Sequence, residues 1–208
     1  MPKRAYSPRD VLAKTYKTLD WDGEWEAAFG QPEDNSTWLI HGPSGAGKSS
    51  FVMLLAKELC SYGTVLYMSY EEGVSQSFQQ RLDRFGMKEV QGRFRIAASD
   101  TIEELGERLR RAKSPKFVIV DSFQQSEWSY ADTVGLIERF PRKSFIFVSQ
   151  EDKGQPLGKP AKRLKYYAGV KVRVTGYKAY CQGRFIPKAG AYYPVWREGI
   201  IETTNNIG

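Results

Sequence analysis

The sequence predicts an α/β fold: a mostly parallel central sheet with helices on both faces, extended at its C-terminal end by antiparallel strands. Three observations carry this. Residues 37–41, 65–69, 117–121 and 144–149 are continuous apolar-rich runs, the pattern of strands buried on both faces. Helical segments separate them, the alternation that builds a parallel sheet. The first run opens into a glycine-rich turn that leads straight into an apolar helix, the order of a phosphate-binding strand–loop–helix unit. At 208 residues the chain is long enough for one such domain and its core.

The elements follow in order. Ser7 as N-cap, Pro8 in the first turn and Asp10 behind it open a helix. It is expected to reach about Leu19, with Val11, Leu12, Tyr16 and Leu19 on one face. Residues 21–29, aromatic and acidic, form a short helix against the core, and 31–36 a loop. Residues 1–36 are thus a helical extension, and 37–208 the nucleotide-binding domain with a C-terminal β-meander. The helix after the glycine-rich turn runs to about Tyr62 and is ended by Gly63. The strand at 65–69 runs into Tyr70-Glu71-Glu72-Gly73, then a helix over 74–85 that Gly86 ends. A weak strand at 94–97 precedes a helix over 101–113, capped by Ser99 or Asp100. The strand at 116–121 is the clearest of all, and a short helix near 131–139 leads to the strand at 144–149.

After Gln150 the pattern changes. Residues 151–165 are rich in Gly, Pro and Lys and read as a loop. Residues 170–174 alternate apolar and basic, a strand with one wet face. Gln182-Gly183 and Glu198-Gly199 read as turns, with strand pieces at 185–186 and 193–196. No internal repeat is visible.

The chemistry centres on Gly42, Pro43, Ser44, Gly45, Ala46, Gly47, Lys48 and Ser49, with Ser50 behind them. The glycines let the backbone curl so that successive N–H groups point at phosphate oxygens, and the helix N-terminus adds partial positive charge. Lys48 can reach the β- and γ-phosphates, and the Ser49 hydroxyl can ligate Mg²⁺. ATP and Mg²⁺ are therefore the expected ligands. Asp121 ends its strand as a second Mg²⁺-side carboxylate. Ser122 follows it, not Glu, so the water-activating base of Asp-Glu ATPases is absent there. Glu71 and Glu72 are the alternatives, Glu71 favoured, and Gln150 ends the next strand in a position to report the γ-phosphate. A solvated strand-end turn is the plain alternative for the glutamates.

The net charge of +7 is regional: Lys153 to Lys188 holds ten basic residues and no acidic one. Within it, Lys153, Lys159, Lys162, Arg163 and Lys165, with Tyr166 and Tyr167 beside them, suit single-stranded nucleic acid: cations on phosphates, aromatics on bases. The alternatives are a solvated basic face and core tyrosines. Cys60 and Cys181 have no metal-type spacing and read as core thiols, and His41 as a packed core residue. No apolar run is long enough to span a membrane, and no signal-peptide core follows Met1-Pro2-Lys3-Arg4, so a cytoplasmic location is expected.

Together Gly42 to Ser49, the run into Glu71-Glu72, Asp121-Ser122 and the strand ending at Gln150 resemble the RecA-like P-loop ATPase core. The likeness runs from about Trp38 to Phe185 and is nearest in motif style to the RadA/Sms–KaiC–DnaB branch. It implies Glu71 as catalytic base, Asp121 as Mg²⁺-side carboxylate, Gln150 as sensor, and a DNA-binding loop after the sensor. It also implies assembly as a ring or filament with ATP between subunits and a neighbour's Lys or Arg in the site, for which Lys178 and Arg184 are the candidates. The chain is expected to be a small stand-alone form acting in DNA recombination, repair, replication or mobile-element function. An ATP-gated accessory or loader protein is the alternative. A small-molecule P-loop kinase is a further one, although Arg108, Arg110 and Arg111 lie on a surface helix and make a poor lid.

Overall fold

The computed structural model describes residues 5–205; the basic start Met1 to Arg4 and residues 206–208 lie outside it. The parallel strands are β1 (Thr37–Gly42), β2 (Val65–Ser69), β3 (Phe94–Ala97), β4 (Phe117–Asp121) and β5 (Ser144–Asp152). A two-residue β6 (Gln155–Pro156) follows, then β7 (Val170–Thr175), β8 (Lys178–Cys181) and β9 (Tyr192–Pro194). In the sheet they stand in the order β3-β2-β4-β5-β1-β7-β8-β9, with β6 paired to β5 alone. Pairing is parallel from β3 through to β7 and antiparallel across β7-β8-β9, so the sheet is mixed in the way the sequence predicts.

Two apolar cores cover its faces. On one, α2 (Gly23–Phe29) and α3 (Lys48–Leu59) pack Phe29, Phe51, Val52 and Leu55 against Trp38, Ile40, Tyr67 and Ile119. On the other, α5 (Ile102–Arg110), α6 (Tyr130–Arg139) and α7 (Lys159–Tyr167) set Leu105, Leu136 and Leu164 against Leu39, Val118, Val120 and Phe147. Alternate residues of each central strand serve opposite cores, which is why these strands read as unbroken apolar runs. The helix α4 (Gln76–Arg84) and a 3₁₀ turn at Met87–Val90 flank the β3 edge.

Four expectations fail, three of them for identifiable reasons. The first helix, α1 (Pro8–Leu12), has its Ser7–Asp10 capping box but stops after five residues. None of those five is buried, so no tertiary contact extends it. The backbone beyond instead bonds to the segment before β1, Asp34 N–H to Lys17 O at 2.9 Å and Leu19 N–H to Pro32 O at 2.9 Å.

Residues 151–165 are not a loop. Strand β5 continues to Asp152, turns through Gly154 into β6, and α7 begins at Lys159. Gly158 as N-cap and a proline in the first turn are helix-start signals, and Ala161, Leu164 and Ala168 give the helix a buried face. The third correction is at Glu198-Gly199, which lies within α8 (Arg197–Asn205). The glycine serves packing there, since a Cβ on it would stand 2.1 Å from the Trp196 ring. The piece at 185–186 is not in a strand.

Candidate active site

The strand register brings the chemistry together. Gly42 of β1 pairs with Gln150 of β5, and Ser69 of β2 with Asp121 of β4. The phosphate-binding turn, the Glu71 turn, Asp121 and Gln150 therefore all leave the sheet at its C-terminal edge, where open α/β sheets bind ligands. They line one cleft of about 300 Å³ that includes Gly45, Gly47, Lys48, Ser49, Glu71, Asp121, Ser122 and Gln150.

Each side chain has a reason for its place. Gly45 and Gly47 hold φ of 73° and 94°, left-handed values that let the loop curl before α3. Gly42 is required by closeness alone, because a Cβ there would lie 2.0 Å from Val174 O of β7. Lys48 donates from Nζ to Pro43 O at 2.8 Å across the loop. Burial lowers its pKa, while the charges of Glu71, Asp121 and Glu151 act the other way. Asp121 is buried, accepts a hydrogen bond from the Tyr67 hydroxyl, and is pushed up to about 6, chiefly by burial.

The turn carrying the two glutamates is tied to Asp121: its carbonyl accepts from Tyr70 N–H at 2.7 Å and from Glu71 N–H at 3.3 Å. From that turn the two side chains part. Glu72 pairs with Arg81 at 2.6 Å and accepts from Ser77 Oγ at 2.8 Å, while Glu71 lines the cleft.

The cleft fits Mg-ATP on its own features. The Ser122 hydroxyl in its wall is buried and has no hydrogen-bond partner among the described residues. Asp121 is a desolvated carboxylate that a cation would relieve. No cluster of three His, Cys, Asp or Glu able to hold a metal ion occurs among the described residues. Mg²⁺ needs few protein groups, because phosphate oxygens complete its shell. Ser49 and Asp121 would be those groups.

No protein-family model matches the chain. Among curated proteins, the DNA repair protein RadA of Streptococcus pneumoniae is 34% identical over 86 residues, 41% of this chain and 20% of that protein. RadA of Streptococcus pyogenes serotype M1 gives the same identity over 86 residues and 18% of its length. The match therefore spans about a fifth of the relatives' own length. Among solved structures, the flagellar accessory protein FlaH of Methanocaldococcus jannaschii superposes with a TM-score of 0.60 at 17% identity, over 81% of this chain and 88% of FlaH. The KaiC-like protein PH0186 of Pyrococcus horikoshii gives 0.61 at 16% identity, over 84% of this chain and 90% of that one. The fold is RecA-like.

In this RecA-like core the end of β5 is held by several side-chain hydrogen bonds, and sequence reasoning found only Gln150 there. Gln124, in the loop after β4, donates from Nε2 to Ser149 Oγ at 2.7 Å and to Leu157 O at 2.8 Å. Its Oε1 accepts from Gln150 N–H at 3.2 Å. On the other side Glu151 is gripped by Arg173, at 2.8 and 3.0 Å, and by His41 Nδ1 at 2.9 Å. His41 is fully buried, as expected of a core residue, but it anchors a carboxylate as well as filling space. Nothing in the local sequence marks Gln124 or Glu151, because their partners lie 22 residues or more away.

The basic residues are organised by α7. Lys159, Lys162, Arg163 and Tyr166 are exposed at the spacing of one helical stripe, with Tyr166 82% exposed and Arg163 stacked over Tyr130 at 4.1 Å. Lys165 is half-buried beside Gln155, Lys153 sits in the turn before β6, and Tyr167 packs on the core. Lys178 and Arg184 are not brought together. Lys178 starts β8 at the cleft edge and lies over Tyr192 at 4.9 Å. Arg184 is at the opposite edge, its N–H on Gly169 O just before β7. A further residue missed by the sequence reading is Tyr177, in the β7–β8 turn. Its ring covers Gly47, 3.1 Å from where a Cβ would be, and stands edge-on to Trp196 at 4.9 Å.

Cys60 and Cys181 are buried free thiols. No helix among the described residues is long and apolar enough to cross a membrane.

Proposed function

We propose that this chain binds Mg-ATP in the cleft at the C-terminal edge of the sheet, hydrolyses it, and couples the cycle to single-stranded DNA held on the α7 stripe. The observation that carries the reading is the division of labour between the adjacent glutamates. Glu72 is neutralised by Arg81, whereas Glu71 is left in the cleft beside Lys48, Ser49 and Asp121. Glu71 is the general base that orients and deprotonates water, and Lys48 and the loop N–H groups hold the triphosphate; Ser49 and Asp121 would hold Mg²⁺, which would supply charge neutralisation at the phosphates. Gln150 senses the γ-phosphate.

For the nucleic-acid side, support comes from the exposed Lys159, Lys162, Arg163 and Tyr166 on one helix face and from the partial likeness to RadA, by name a DNA repair protein. Copies assemble with ATP between them, Lys178 reaching the neighbour's site.

The deciding experiment is steady-state ATP hydrolysis with and without single-stranded DNA at two salt concentrations. Salt-sensitive stimulation is expected. Replacing Lys159, Lys162 and Arg163 with alanine should reduce the slope of log affinity against log salt by about 2, at roughly 0.7 per lost phosphate contact, and leave ATP binding intact. Hydrolysis that DNA does not stimulate would overturn the coupling, and nucleotide binding without hydrolysis would favour an ATP-gated accessory protein.

A further inference from the structure

We infer that Gln124 is a positioning residue that couples the nucleotide cleft to helix α7, so that a γ-phosphate met by Gln150 alters the basic face. The inference rests on the nucleotide-binding reading above.

Its basis is how the Gln150 backbone is held. The N–H of Gln150 donates to Gln124 Oε1 at 3.2 Å, and its carbonyl accepts from Leu157 N–H at 2.8 Å. The carbonyl of Leu157 in turn accepts from Gln124 Nε2 at 2.8 Å. Gln124, Gln150 and Leu157 thus close a three-membered ring of hydrogen bonds joining the loop after Asp121, the end of β5 and the entry to α7. Downstream, Glu151 is pinned by His41 and Arg173, so β5 cannot slide as a whole. What can move is the peptide on either side of Gln150, whose side chain lines the cleft.

The far side of the ring lies between two glycines with open space beside them. The segment carrying Leu157 is bounded by Gly154 and Gly158, at φ of 78° and 84°. A Cβ on Gly154 would meet nothing within 4 Å, and one on Gly158 only Pro160 Cδ at 3.8 Å. Gly158 is the N-cap of α7. When the Gln150 side chain turns toward a γ-phosphate its peptide rotates, and through the ring the rotation reaches Leu157 and, one residue on, the Gly158 hinge. Exchanging two or three such bonds is enough for a coupling of about tenfold.

Hydrogen–deuterium exchange of the α7 amides in the full chain tests this, comparing saturating Mg-ADP with a non-hydrolysable Mg-ATP analogue. The expected result is a several-fold difference between the two states in the parent protein. Gln124→Glu, which keeps the volume but loses both donors, should abolish that difference while analogue affinity stays within about twofold. Gln124→Ala repeats the test without an added charge, and Gln125→Ala, at an exposed position, should behave as the parent. Parent-like behaviour of both Gln124 variants would overturn the relay, as would a parent α7 that exchanges alike in the two states. A single-stranded DNA titration in the same states separates the readings. An exchange difference without DNA binding supports the relay and overturns the nucleic-acid partner, and failure of the parent to bind nucleotide overturns both.

Discussion

Glu71 and Glu72 are neighbours in sequence and chemically identical, and only their surroundings set them apart. Glu72 is three-quarters buried between Arg81 and Ser77, so its charge is spent within the turn. Glu71 faces the phosphate loop. Glu71→Gln should keep nucleotide affinity and slow turnover by about 10²- to 10⁴-fold, the usual worth of a general base. Glu72→Gln should leave turnover near the parent value and cost about 0.5–1 kcal/mol of stability through the lost ion pair. Single-turnover hydrolysis and thermal unfolding of the two variants read both effects, and the reverse ranking of turnover would move the base to Glu72.

A second residue-level consequence concerns the nucleoside. Glu71, Asp121 and Gln150 come from β2, β4 and β5, all on one side of β1, so the roles proposed above put the γ-phosphate on that side. The nucleoside then leaves the loop toward β7 and β8, where the Tyr177 ring covers Gly47 beside Trp196. Tyr177→Ala should weaken ATP by about tenfold, the scale of one lost base–aromatic stack, and leave tripolyphosphate binding unchanged. Equal losses for both ligands would instead mean that the tyrosine only props the loop.

Helix α7 and the end of β5 show what was legible in the sequence and what was not. The buried parallel strands and the phosphate-binding turn were readable because their determinants are local: unbroken apolar runs, and glycines where φ must be positive. Strand β2 falls on the expected residues, and so does the weak strand β3. Helix α7 was hidden because Gly154, Pro156, Gly158 and Pro160 crowd its start, although Ala161, Leu164 and Ala168 already spelled its inner face. The His41–Glu151–Arg173 grip could not be read at all, since it joins β1, β5 and β7 only after the sheet forms.

That grip gives the strands a pH dependence. His41 has a pKa lowered chiefly by burial and also by the charge of Lys165, against the raising influence of Glu151. Glu151 is lowered chiefly by its hydrogen bonds from Arg173, with His41 adding to them against burial. The unfolded chain therefore takes up protons before the folded one does. The His41 contribution is complete above about pH 6.5 and lost as pH falls below it, and the Glu151 contribution follows below about pH 4.5. Asp121, pushed up to about 6, works the other way in the same range, because the folded chain takes up its proton first. Chemical denaturation from pH 7.5 to 5 isolates the His41 part as the parent's stability minus that of His41→Gln, a difference that should shrink as pH falls. An unchanged slope in the variant would place the acid sensitivity elsewhere.

For the molecule as a whole, the question is whether one chain makes a complete site. The cleft holds Lys48, Ser49, Glu71, Asp121 and Gln150 from the same subunit, and it opens at the edge of the sheet from which β8 departs. Lys178 stands at that edge and Arg184 at the opposite one, so they cannot serve the same neighbouring site. If copies associate head to tail, as rings and filaments require, each site draws Glu71 from one subunit and Lys178 from the next. Glu71→Gln and Lys178→Ala should then each be inactive alone, yet an equimolar mixture should recover activity. With random assembly about one quarter of the sites hold an intact Glu71 and an intact neighbouring Lys178, so about a quarter of parent activity is expected at saturating ATP. Arg184→Ala, carried on the far edge, should hydrolyse ATP at the parent rate. No recovery on mixing, with both variants folded and binding nucleotide, would mean that Lys178 acts within its own subunit and that the cleft is complete in a single chain.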